Sequence, residues 1–185
     1  MARKSKAAEN VLTEVRVRLV PGMPLFSEKP LDNPRDVVEV LSCELATYDR
    51  EYFVIANFDK KMHPINYSVI SIGQLDYGVV SIPNVIKTAI LSNASSMILF
   101  HNHPSGDPSP SPADIDVTKR LKLAADLMNV GIMDHIIVGA NNVPDLTPPY
   151  FSMAESKIID FNKSSCEKFI NEYFEKGVVK RTRRR

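Results

Sequence analysis

The run Met97-Ile-Leu-Phe100 leads straight into His101-Asn-His103, and a carboxylate, Asp114, follows at the start of a helix-like pattern. If Met97–Phe100 is a buried strand, residues two apart project to the same side, and both imidazoles aim at one spot at its end. Between His103 and Asp114 stand Pro104, Gly106, Pro108, Pro110 and Pro112. The prolines restrict the loop and the glycine permits a sharp turn, so Asp114 can be brought round to the two rings. Two histidines and one aspartate with a position left open suit a catalytic zinc ion, one per chain. A metal hydrolase is the leading expectation.

A chain of 185 residues with 44% apolar content fits one globular domain with a real core. No apolar stretch approaches the roughly 20 residues that span a bilayer, so no membrane partner is expected. The first residues, Met-Ala-Arg-Lys-Ser-Lys, are basic, but Ala7–Thr13 offers no signal-peptide core. Cys43 and Cys166 form neither a CxxC pair nor a disulfide framework, which favours a reducing, cytoplasmic setting.

The formal charge of +1 conceals an asymmetry. Eight of the 23 lysines and arginines lie within residues 3–6 and 180–185, so the body carries 15 cations against 22 acids. Basic ends on an acidic body can make weak contacts with nucleic acid, or act as solubilising tails.

Residues 1–10 read as a flexible basic arm. Val15, Val17 and Leu19 alternate with Arg16 and Arg18, the pattern of a half-exposed strand. Asn33-Pro34 is a helix start, with Val37, Val38, Val40, Leu41 and Leu45 on its apolar face. Strands are expected over Tyr52–Phe58, Ile65–Ile72, Met97–Phe100 and Ile132–Val138. Helices are expected from Pro83 to about Ala94, over Pro112–Asn129 and over Ser152–Lys176. In the second of these, Ile115, Leu121, Ala124, Ala125 and Met128 are core candidates, and Gly131 is the expected left-handed exit. The last rests on the spacing of Ile158, Ile159, Phe161, Phe169 and Ile170. This is a mixed sheet with helices packed against it.

His-x-His-Pro followed by Ser111-x-x-Asp114 resembles the metal motif of the JAMM (MPN/JAB) metalloprotease superfamily. The fuller string His-Asn-His-Pro-Ser-Gly, with Pro-Ser-x-x-Asp and Thr118 beyond it, resembles the RadC branch. Glu51-Tyr-Phe-Val-Ile, Ala89-x-x-x-Asn93-Ala94 and Gly131-Ile-x-x-Asp134-His135-Ile-Ile-Val-Gly139 extend the likeness over Val11 to Ser152. The resemblance implies an α/β fold: a single MPN/JAB-like domain, layered like the cytidine deaminases, with a mixed curved sheet flanked by helices. That domain is expected over residues 11–152, with a C-terminal helix over 153–176 packed on it and a basic tail over 177–185. Longer RadC relatives carry an N-terminal helix-hairpin-helix region associated with DNA binding. Here the metal domain starts too early to leave room for one, which weakens a DNA-repair reading.

Zinc alone does not make a hydrolase, because a nearby base must still move a proton. In JAMM proteins that base is a glutamate well upstream, and the resemblance assigns it to Glu51, with Glu44 one helix earlier as the alternative. Ser111 resembles the family serine that helps hold the substrate oxyanion or orient the attacking water. Ser111-Pro-Ala-Asp114 is also a capping box in its own right, so the hydroxyl and the carboxylate have a purely structural reading beside the chemical one. Asp134 and His135 read as structural, and His63 as a turn residue. Ile82-Pro83-Asn84 departs from the Pro-Arg of many RadC proteins, which puts specificity in question.

Other chemistries fit worse. The Pro-Cys-x-x-Cys of a zinc deaminase is absent, as are an HExxH helix, a P-loop and a GxSxG elbow. Two functions follow. One is a zinc metallopeptidase or isopeptidase acting on an unidentified peptide or protein. The other is a binding module of DNA metabolism with a structural metal, whose nucleic-acid affinity would collapse with salt.

Overall fold

Asn33 opens the first helix, α1 (Pro34–Leu45), by accepting hydrogen bonds from the backbone N–H groups of Arg35 and Asp36. Pro34 fills the first turn, where a missing N–H costs nothing. A computed structural model describes residues 16, 18–73, 80–140 and 148–162. After α1 come strands β1 (Tyr52–Phe58) and β2 (Pro64–Ile72), helix α2 (Ile82–Leu91), strand β3 (Ser96–His103), helix α3 (Pro112–Leu127), and strands β4 (Gly131–Gly139) and β5 (Tyr150–Ser152).

The five strands form one mixed sheet in the order β2-β1-β3-β4-β5. β3 and β4 run parallel, joined through α3, and the other pairs are antiparallel. Register shifts at Phe53/Val54, Asn57/Phe58 and Met97/Ile98 curve the sheet. Alternation divides the core into two faces. Val54, Ala56, Phe58, Ile98, Phe100, Ile136 and Val138 pack with Val37, Leu41 and Leu45 of α1. Phe53, Ile55, Met97, Leu99 and Ile132 pack with Val85, Ile86 and Ala89 of α2 and with Leu121 and Ala125 of α3. The expected α/β layering is therefore present, with the sheet between one helix and two.

Several expectations need correction. Asn129, at φ 56°, makes the left-handed exit from α3, a conformation asparagine tolerates better than most residues. Gly131 instead begins β4, its N–H bonded to the Ser95 carbonyl. Met128 is 54% exposed, because Leu121 and Ala125 already fill the sheet-facing side of the helix. β3 runs on through both histidines, three residues further than Phe100. β5 was not expected.

Residues 153–162, the described part of the expected C-terminal helix, form a turn over 153–157 followed by bends and irregular chain. Lys157 is left-handed there (φ 58°), and the Asp134 carboxylate holds the segment by accepting from the Ala154 N–H and the Ser152 hydroxyl. Met153 and Ile159 then pack on Ile137, a spacing no helix face supplies. The rest of that helix, the arm over 1–10, the tail over 177–185 and the strand expected at Val15 and Val17 lie outside the described residues; Leu19 is irregular and exposed.

One close approach locks the loop after β3. A Cβ on Gly139 would stand 2.3 Å from the Gly106 carbonyl oxygen and 3.0 Å from Pro149 Cγ. Gly106 itself is at φ +91°, so the loop cannot yield without strain. Gly139→Ala is expected to destabilise the fold by roughly 1–3 kcal/mol, as overpacking does. Gly22→Ala, with nothing within 4 Å of its Cβ, should stay within about 0.5 kcal/mol. Denaturant melts of the two variants check this; equal stabilities would refute the contact.

Candidate metal centre

Strand alternation sends Met97, Leu99 and His101 toward α2 and α3, and Ile98 and Phe100 toward α1. His101 therefore meets the first turn of α3, where Asp114 sits third in the capping box opened by Ser111. His101 is fully buried, Asp114 nearly so, and His103 is partly exposed. One ligand atom from each of the three lies within 4.8 Å of the others.

The donor geometry is specific. His101 Nε2 is 2.9 Å from His103 Nε2 and 3.3 Å from Asp114 Oδ1. Asp114 Oδ2 accepts from the Ser111 N–H at 2.7 Å and from its hydroxyl at 2.6 Å and lies 3.7 Å from His103 Nε2, while Oδ1 faces His101. Ligand atoms about 2.0–2.1 Å from a tetrahedral ion are about 3.3 Å apart, so the set fits a metal of that size. Two ring nitrogens 2.9 Å apart beside a carboxylate can share either a proton or a metal cation.

An outer layer holds the ligands in place. His101 Nδ1 is 2.8 Å from His135 Nε2, His135 Nδ1 is 2.6 Å from Thr118 Oγ1, and Thr118 donates to the Asp114 carbonyl at 2.5 Å. His103 Nδ1 lies 2.8 Å from the Asp107 carbonyl oxygen. Phe53 stacks on His101 with ring planes 12° apart and meets His135 edge-on. Such partners orient metal-binding imidazoles.

Burial pushes His101 down to about 4, against the pull of Asp114 and with help from His103. Burial also takes His135 well below the ordinary histidine value, with His101 adding to the effect. At Asp114 burial opposes the charge, but His103, His101 and Ser111 together hold the carboxyl below the usual range. His103 is raised, first by its bond to Asp114 and in smaller part by the charge of Glu51.

These shifts give the metal-free protein a pH dependence. Between pH 6.5 and about 4 the unfolded chain protonates at His101 while the folded chain does not, and the lowered His135 acts in the same direction. Stability must therefore fall as pH falls through that window, and His101 alone contributes up to about 3 kcal/mol. The raised His103 offsets part of the loss, and Asp114 adds to it below its ordinary value of 3.8. Denaturant midpoints at about pH 7 and about pH 4.5 check this; a higher midpoint at the acid end would contradict it.

Glu51 precedes β1, whose residue Phe53 pairs with His101. Continuing that antiparallel register brings Glu51 opposite His103, on the same side as Phe53. Asn102, between the two histidines, accepts from the Tyr52 N–H at 2.8 Å and donates to the Arg50 carbonyl at 3.0 Å. It clamps the backbone on both sides of Glu51. Glu44 instead accepts the Tyr48 hydroxyl, on α1 and the opposite face of the sheet. His63 lies in the β1–β2 turn, its N–H bonded to Asp59.

Asn102 and Thr118 received no role from sequence reasoning. Thr118 is one helical turn after Asp114, a spacing that could have marked it. Asn102 alternates away from the ligands, and no sequence signal ties it to Glu51.

Residues 31–158, more than half of the chain, match the model of the RadC-like JAB domain. A UPF0758 protein of Desulfitobacterium hafniense is 36% identical over 156 residues, 84% of this chain and 65% of that one. Others from Shouchella clausii and Syntrophomonas wolfei are 42% and 44% identical over 109 and 115 residues, covering 59% and 62% of this chain and 47% and 49% of theirs. The chain thus spans about half to two thirds of the length of these curated relatives. Among the described residues no helix is long and apolar enough to cross a membrane. With a five-stranded mixed sheet and a His-His-Asp cluster able to hold a metal ion, the chain belongs to the RadC family of the JAB/MPN superfamily.

Proposed function

We propose that this protein is a zinc-dependent amide hydrolase of the metallopeptidase or isopeptidase type. The observation that carries the reading is the convergence of His101 Nε2, His103 Nε2 and the Asp114 carboxylate, at separations of 2.9, 3.3 and 3.7 Å that bracket those around one tetrahedral ion. Zinc held there supplies Lewis acidity, which acidifies water and polarises a carbonyl. Glu51 is the general base: it takes a proton from the attacking water and delivers it to the leaving amine. Its charge already acts on His103, and the Asn102 clamp fixes its backbone. Ser111 orients Asp114 in the resting site, since its one hydroxyl proton goes to Oδ2. Turning that proton toward a substrate oxyanion would require Asp114 to release it.

The test is an unbiased peptide-cleavage screen of zinc-loaded protein. Cleavage should stop with a chelator and resume with added zinc. Zinc-loaded, folded protein that cuts no peptide pool would count against amide hydrolysis.

A further inference from the structure

We propose that Thr118, which contributes no ligand atom, sets the ring tautomer of His101 through His135 and so keeps His101 Nε2 bare for a metal ion. The proposal rests on the metal reading above. Thr118 is fully buried, and its hydroxyl has one proton. The Asp114 carbonyl oxygen, 2.5 Å away, can only accept, so that proton points there. The 2.6 Å contact between Thr118 Oγ1 and His135 Nδ1 must then be filled by a ring proton on Nδ1.

The remaining protons follow in sequence. His135 and His101 are both fully buried, which favours neutral rings carrying a single N–H. With its proton on Nδ1, His135 offers a bare Nε2. His101 Nδ1, 2.8 Å from it, must donate, and His101 Nε2 is left without a proton. On the other side a neutral His103 donates from Nδ1 to the Asp107 carbonyl, so its Nε2 is bare too. The result is two lone pairs facing each other at 2.9 Å beside a carboxylate.

The same rings have a second self-consistent arrangement. With His135 protonated on Nε2, His101 would accept at Nδ1, carry its own proton on Nε2 and donate to His103. A proton would then occupy the space a metal needs. Each arrangement leaves one pair of acceptors without a proton, and Thr118 tips the balance, because Oγ1 and His135 Nδ1 would then meet at 2.6 Å, closer than the 2.9 Å between the two Nε2 atoms. Without the hydroxyl that penalty is gone.

Thr118→Val keeps the branched shape and removes the hydroxyl, whereas Thr118→Ser keeps the hydroxyl. Zinc affinity, measured by competition with a chelating dye, should fall roughly 10–100-fold in Thr118→Val, the usual scale for an outer partner of a ligand. Thr118→Ser should bind close to wild type. Long-range proton–nitrogen NMR of the metal-free proteins supplies a readout that packing alone would not move. His101 should be protonated at Nδ1 in wild type and in Thr118→Ser, and at Nε2 in Thr118→Val.

Equal affinities in wild type and Thr118→Val, or equal losses in both variants, would overturn the proposal. So would a wild-type His101 protonated at Nε2, a result that decides the matter even if Thr118→Val fails to fold. Wild-type protein that binds no zinc would refute the metal reading instead, and the tautomers of the metal-free protein would still test the relay.

Discussion

Glu51→Gln is expected to keep its metal and its fold while amide hydrolysis falls roughly 10²–10⁴-fold, the scale of a positioned general base. Glutamine retains size and hydrogen-bonding capacity but cannot take a proton at neutral pH. Glu51 supplies none of the three converging ligand atoms, so zinc content should not change. Its backbone contacts also survive the substitution, since Gly73 donates to the residue-51 carbonyl and Asn102 binds its neighbours. Single-turnover rates on a substrate from the screen, beside metal analysis of the same preparation, check the prediction. Undiminished activity would remove Glu51 from the mechanism. Lost zinc would make it a ligand.

Removing a ligand should have the second large effect. Wild-type protein with free zinc at about 100 times its dissociation constant should gain about 2.7 kcal/mol of stability. His103→Ala should gain almost none and should purify without stoichiometric zinc. His103 suits this test because it is partly exposed, so its truncation leaves the core intact, whereas His101→Ala would open a cavity in a fully buried site. Thermal melts with zinc and with a chelator give the comparison. Equal zinc-dependent gains in wild type and in a His101, His103 and Asp114 triple alanine variant would place the ion elsewhere.

Much of the site was legible because it is built from local rules. The capping box at Ser111 and Asp114, the paired histidines two residues apart and the proline-rich loop between them each depend on neighbours in the chain. The same holds for α1, with its Asn33 cap and its apolar face. Two expectations failed for reasons that helix spacing does not carry. Ile158, Ile159 and Phe161 mimic a helix in spacing, yet the segment turns because Asp134, some 20 residues earlier, captures the Ala154 N–H. Gly131 looked like the exit of α3, but Asn129 adopts the left-handed conformation two residues sooner.

By itself the sequence determined which residues could be ligands and on which side of β3 they lie, since period-two alternation and helix capping are properties of a few consecutive residues. Tertiary structure alone decided what surrounds them. Continued two residues past Phe53 and His101, the β1–β3 register points Glu51 toward His103, and parallel pairing of β3 with β4 carries His135 against His101. Which ring nitrogen holds a proton is decided later still, by the contacts among His101, His135 and Thr118 that form only when two strands and a helix pack together. Hydrogen bonds between residues 17 and 34 positions apart leave no periodic trace in a sequence, because their geometry exists only after the chain has folded.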